Sequence, residues 1–180
     1  MKKSQVLGGG LTLLASFMLV ACNSNDDDNA AIPAVAQTAQ VTITPSLGKV
    51  LNAKVVLKNA KTGVTLGSGN TGNTGVAKFT ATKTSDPVVV EVQGVDGAQG
   101  ATYFDEAKNA NIALPATQKI RAIVPTLTNN ANIGVTVLTE VAAQAAIKAA
   151  GDLSKVTTQV ATEANNQIKT LLAKELGTAS

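Results

Sequence analysis

The rhythm of hydrophobic and polar residues changes along the chain. Residues Val6 to Val20 are nearly all apolar, with Lys2 and Lys3 ahead of them, and the polar run Asn23–Asn29 that follows has no apolar periodicity. From Val41 the period is two. Val41 and Ile43 alternate with Thr42 and Thr44 up to Pro45, and Ala53, Val55 and Leu57 alternate with Asn52, Lys54, Val56 and Lys58. Such alternation predicts strands with one wet face. Asn59-Ala60-Lys61-Thr62-Gly63 reads as a turn, Val64-Thr65-Leu66 as a short strand, and Gly67 to Gly75, dense in Gly, Asn and Thr, as a loop. Val76 to Ala81 predicts a strand with Ala77, Phe79 and Ala81 on one side, and Asp86-Pro87 introduces the strongly apolar Val88–Val92. After a loop from Gly94 to Gly100, Ala101–Phe104 and Lys119–Val124 are the last strand candidates. Several short strands separated by turn signals predict a mainly β fold, a small antiparallel β-sandwich.

Past Val124 the period lengthens to that of helices. Val135–Glu140 leads into the alanine-rich Val141–Ala150, with Thr136 as N-cap, Glu140 in the electropositive first turn and Gly151 as the stop. A second helix is expected from Asp152 or Ser154 to Leu176, ended by Gly177. Its stripe is Val156, Val160, Ala164, Ile168, Leu171 and Leu172, with Lys155, Glu163, Lys169 and Lys174 outside it. The stripe is expected to pack on the sandwich, burial being the ordinary fate of an amphipathic face.

The first 22 residues have the basic, apolar and small-residue order of a secretory signal. Val6–Val20 is shorter than the roughly 20 residues of a membrane span, and Gly8-Gly9-Gly10 weakens it as a helix. Leu19-Val20-Ala21-Cys22 resembles the lipobox of bacterial lipoproteins. The resemblance implies cleavage before Cys22, which then carries diacylglycerol on its sulfur and an acyl group such as palmitate on its new amine. Several acyl chains anchor stably where one does not. Asn23 occupies the place where Asp would favour inner-membrane retention, so the resemblance points to the outer membrane.

Composition narrows the chemistry. Loss of residues 1–21 removes Lys2 and Lys3, leaving thirteen basic against twelve acidic residues in a 159-residue chain, net +1. The basic residues are scattered and only Phe79, Tyr103 and Phe104 remain as aromatics, which argues against nucleic acid as a partner. Histidine is absent and the one thiol is Cys22, so the usual general base and metal ligand are missing. Asp26-Asp27-Asp28 lacks the spaced ligands and turn glycine of a calcium loop and reads as a solvated tether. Gly67–Gly75 lacks the spacing of a phosphate-binding loop. For a small hydrolase the candidate acids would be Asp86, Asp96, Asp105, Glu106 and Glu140, and the serines Ser46, Ser68, Ser85 and Ser154. None of these serines lies in a nucleophile-elbow context, so no enzyme activity, cofactor or metal is expected.

Two further resemblances concern the domains. The run Lys54–Leu57, Thr62-Gly63, Leu66–Gly69, Thr71, Thr74-Gly75 and Phe79 resembles the carboxypeptidase regulatory-like domain, an Ig-like sandwich of transthyretin (prealbumin) type. That resemblance implies a structural or adhesive module without catalytic residues. Ile120–Pro125 followed by Val135–Ala142 is similar to a segment of larger bacterial surface lipoproteins, with Val137 where those have Pro. Relatives of that kind commonly continue further, and a short or truncated member is the expectation. The expected organisation is a signal peptide over 1–21, a flexible polar tether over 22–39, a sandwich over 40–128 and a helical hairpin packed on it over 129–180. The expected role is that of a lipid-anchored, non-enzymatic envelope module. It would bind the membrane through Cys22 and could meet a protein partner through its loops or C-terminal helices. An accessory subunit of a larger envelope complex is the alternative.

Overall fold

Alternation decides the first strand. In β1 (Thr38–Ser46) Ala39, Val41 and Ile43 are buried while Thr38, Gln40 and Thr44 are exposed. These coordinates are a computed structural model, and the structure describes residues 36–177. Nine more strands follow: β2 (Val50–Leu51), β3 (Lys54–Asn59), β4 (Thr65–Asn70), β5 (Ala77–Thr82), β6 (Val88–Gln93), β7 (Thr102–Asp105), β8 (Ala110–Ala113), β9 (Lys119–Val124) and β10 (Ala131–Thr136). Helix α1 (Val137–Ala150), a single 3-10 turn (Leu153–Lys155) and helix α2 (Thr158–Glu175) complete the described chain. The fold is thus mostly β with two C-terminal helices.

One sheet has the order β10-β1-β5, a second β4-β3-β6-β9, and a small third β2-β7-β8. Pairing is antiparallel except between β1 and β10, which run parallel with Val41 opposite Ala131 and Ser46 opposite Thr136. Val41 and Ile43 of the first sheet meet Val55, Leu57, Val90 and Val92 of the second in one buried cluster. Packing of β-branched side chains across two pleated surfaces is what such residues favour. On its other face the second sheet turns Val89 and Ile123 outward, where Ala143 and Ala146 of α1 and Ala161 and Ala164 of α2 cover them.

The helix ends follow their local chemistry. Thr136 accepts a hydrogen bond from Thr139 N–H, and the Thr139 hydroxyl accepts one from Thr136 N–H, closing a capping box at the start of α1. Gly151 ends the helix at φ 84°, a left-handed conformation that suits glycine. The second helix starts later than expected, at Thr158, with Thr157 as its N-cap. Asp152 instead caps the 3-10 turn, and Val156 interrupts helix with extended backbone.

Four expectations need correction. The stretch Gly67–Asn70 is strand rather than loop, because the half-buried Phe79 ring of the first sheet lies across β4. A Cβ on Gly69 would come within 2.8 Å of Phe79 Cδ1, so this position suits glycine. Ala131–Thr136 is also strand; it pairs with β1, so the β portion runs past the expected boundary at 128. At the other end β1 begins at Thr38, inside the expected tether. Finally, β2 and β8 were not foreseen, being short segments that pair with β7 alone, with Val50 of β2 buried in the core. The expectations for residues 1–35, including Cys22 and Asp26–Asp28, lie outside the described residues.

Candidate functional site

β9 ends the ladder of the second sheet, with β6 on one side and no paired strand on the other. Such an edge presents backbone groups that seek partners. Helical side chains supply them. Glu140 Oε2 accepts the Arg121 N–H at 2.7 Å, the Thr139 hydroxyl donates to the Arg121 carbonyl at 2.9 Å, and Asn165 Nδ2 donates to the Ile123 carbonyl at 3.0 Å. Glu140 also takes the Arg121 guanidinium, at 2.6 and 3.1 Å, and the Gln144 amide at 2.9 Å. Burial alone would raise the Glu140 carboxyl, but the hydrogen bonds from Arg121 and Gln144 and the Arg121 charge outweigh it and hold its pKa below the ordinary value. The same hydrogen bond raises Arg121.

A second charged group lies on this outer face. Glu91 sits between Lys58 at 2.6 Å and Lys119 at 3.0 Å. Burial pushes its carboxyl up, and the two lysines bring it net below the ordinary value. The Glu91 pairs tie β3, β6 and β9 to one another, and the Arg121–Glu140 pair ties β9 to α1. Both oxygens of each carboxylate are engaged.

Beyond Asn165 an apolar groove with a volume of about 690 Å³ is lined by the second helix and by residues of β9 and β10. Its walls are Ile168 and Leu172 of α2, the C-cap Leu176 and Leu138 of α1, and Val124 of β9 and Ile133 of β10 also line it. Leu176 is 72% exposed and Leu138 42%. Lys169 is the only charged residue among the groove's lining residues. Free energy is lost while such an apolar surface faces water, so the groove is the feature of the described chain best suited to hold a hydrophobic group.

The remaining sequence candidates are scattered. Asp86 accepts from the Asn59 amide, Asp96 from Ala116 N–H, and Asp105 from Ala107 and Lys108 N–H in the turn after β7. Glu106 is exposed, as are Ser46, Ser68, Ser85 and Ser154. The Ser154 hydroxyl donates to Asp152, the cap of the 3-10 turn. Of the acids and serines named from sequence, Glu140 alone lies near the groove. Among the described residues no three of His, Cys, Asp and Glu come together as a metal site.

The expected α2 stripe divides in two. Val156 and Ala164 are buried and Val160 half-buried, whereas Ile168 is half-buried in the groove wall and Leu171 is 57% exposed. The stripe packs on the sheet at its N-terminal end, whereas at its C-terminal end Ile168 and Leu172 face the groove. Asn165 and Thr139, which close the β9 edge, were missed by the sequence reading because nothing local marks them. The capping motif at Thr136 was the one available signal for Thr139.

Neither a scan against protein-family models nor a search of curated proteins found a match to this chain. No helix among the described residues is long and apolar enough to cross a membrane.

Proposed function

We propose that this chain is a lipid-anchored lipoprotein of the bacterial envelope, held at the outer membrane through acyl groups on Cys22. Its Ig-like, carboxypeptidase regulatory-like sandwich serves as a structural or binding module rather than as an enzyme. The observation that carries the reading is the order Lys2-Lys3, Val6–Val20, Ala21, Cys22. A basic start, an apolar stretch too short for a span and a small residue before a lone cysteine suit export followed by lipidation. The fold supports the second half of the reading. Lys58, Glu91, Lys119 and Arg121 on the outer sheet face are held in ion pairs, which suits a scaffold.

The test is Cys22→Ser. The wild-type chain is expected to incorporate radiolabelled palmitate and to fractionate with outer membranes. The variant should lose the label and remain unprocessed, because a serine hydroxyl does not replace the acylated thiol. Equal fractionation and equal mass of the two would refute the anchor.

A further inference from the structure

We propose that the groove beneath the C-terminal half of α2 holds an acyl chain of an anionic lipid, drawn from the bilayer to which the protein is anchored. The source of the lipid rests on the anchor reading above; the chemistry of the groove does not. Three observations favour hydrocarbon over a peptide or a second protein chain. First, three of the polar side chains lining the groove, Thr136, Thr139 and Asn165, are engaged within the fold. Asn165 donates to Ile123, Thr136 accepts from Thr139 N–H, and the Thr139 hydroxyl reaches Arg121 and Thr136 carbonyls. With Arg121 and Ile123 so occupied, the β9 edge is closed to an added strand. A peptide backbone laid along the β9 and α2 walls would leave its hydrogen bonds with water for apolar side chains. Only the edge of β10, which also lines the groove, could serve one, whereas an acyl chain has no such bonds to lose.

Second, the charge is one-sided. Among the described residues Lys169 lines the groove, no carboxylate does, and Lys169 makes no ion pair. An ammonium at the rim of an apolar groove complements a chain whose head is anionic. The wall from Ile168 to Leu176 extends about 12 Å at 1.5 Å per residue, which suits a single inserted chain. Third, the tether limits the alternatives. The stretch from Cys22 to Thr38 spans at most about 55 Å when fully extended. A lipidated chain therefore meets bilayer lipid at high effective concentration before it meets a dilute partner.

The test uses the anchored full-length chain in phosphatidylcholine nanodiscs. These contain a minor fraction of phosphatidylglycerol with a diazirine on one acyl chain, and the photolabelled residues are mapped by mass spectrometry. Label is expected on 165–176 and around Leu138. Leu172→Glu places a carboxylate in the apolar wall and should reduce the yield about tenfold. Leu172 is partly exposed and Leu176 largely so; Leu176→Glu therefore gives the same test without threatening the fold. Lys169→Glu should lower labelling by the phosphatidylglycerol probe about threefold and leave a phosphatidylcholine probe unchanged. Labelling that avoids these residues, or that ignores both leucine substitutions, overturns the proposal. So does a crosslink joining two chains through Leu172, which assigns the groove to a second copy. The Cys22→Ser chain is treated in parallel with the single-chain lysophosphatidylglycerol form of the probe in solution. It should be labelled at the same residues, so a failed anchor leaves this result standing and a failed groove removes it.

Discussion

The two faces of the second sheet are packed by different means. Toward the first sheet, Val55, Leu57, Val90 and Val92 are completely buried against Val41 and Ile43, a layer of large branched side chains. Toward the helices, Val89 and Ile123 meet mainly alanines: Ala143, Ala146, Ala161 and Ala164. Small side chains let a helix lie close to a strand, but each buries little area and contributes correspondingly little. The helical layer compensates with polar links, namely Arg121–Glu140, Thr139 to the Arg121 carbonyl and Asn165 to the Ile123 carbonyl. Stability therefore resides mainly between the sheets. The helices are placed by a few directional bonds, and this is why the end of α2, beyond the last of those bonds, can leave its leucines unburied.

The largest expected effect tests the first half of that contrast. Leu57→Ala should lower unfolding free energy by about 2–5 kcal/mol through lost burial and a residual cavity, read by urea denaturation. A cost near zero would mean that the inter-sheet layer is not the main core. In the alanine layer the sensitive change is enlargement. Ala143→Leu should cost about 1–3 kcal/mol, because α1 must lift from Val89 and Ile123 to admit it. A neutral outcome there would show slack between helix and sheet.

Polar fastening is tested by Glu140→Gln, expected to cost about 1–3 kcal/mol, since it weakens charge-assisted bonds to Arg121 and leaves that guanidinium less well paired. Both Glu140 and Glu91 have folded pKa values below the ordinary carboxylate value. Their contribution to stability is therefore present above about pH 4.3 and is lost as pH falls below that toward the folded values. Thermal melts from pH 7 down to pH 3 should show this acid loss, and Glu140→Gln should flatten part of it. An identical acid limb in variant and wild type would remove Glu140 from the account. The smallest effect belongs to the C-terminal end of α2. Leu171→Ser should change stability by no more than about 0.5 kcal/mol, measured by the same denaturation. A larger loss would mean that Leu171, exposed on α2, is covered after all.

Some of this architecture was written locally. The two-residue alternation of Val41–Ile43 and Ala53–Leu57 specifies which side of each strand is buried, because successive side chains must point to opposite faces. Thr136 and Gly151 mark the ends of α1, because capping depends on one side chain and one backbone conformation. Other features depended on partners distant in sequence. Gly67–Asn70 looks like a loop until Phe79 is laid across it. Ala131–Thr136 alternates Ala131, Ile133 and Val135 with Asn132, Gly134 and Thr136, yet it runs directly into the helical pattern and is separated from it only by its pairing with β1. The acids named from sequence are dispersed by the fold, and Glu140 acquires its role only because Arg121, nineteen residues earlier, comes within hydrogen-bonding distance. The α2 stripe from Val156 to Leu172 is continuous in sequence and divided in space. Periodicity determines which face of a helix is apolar, whereas the length of β9 and the position of Asn165 determine how much of that face finds a surface to cover it.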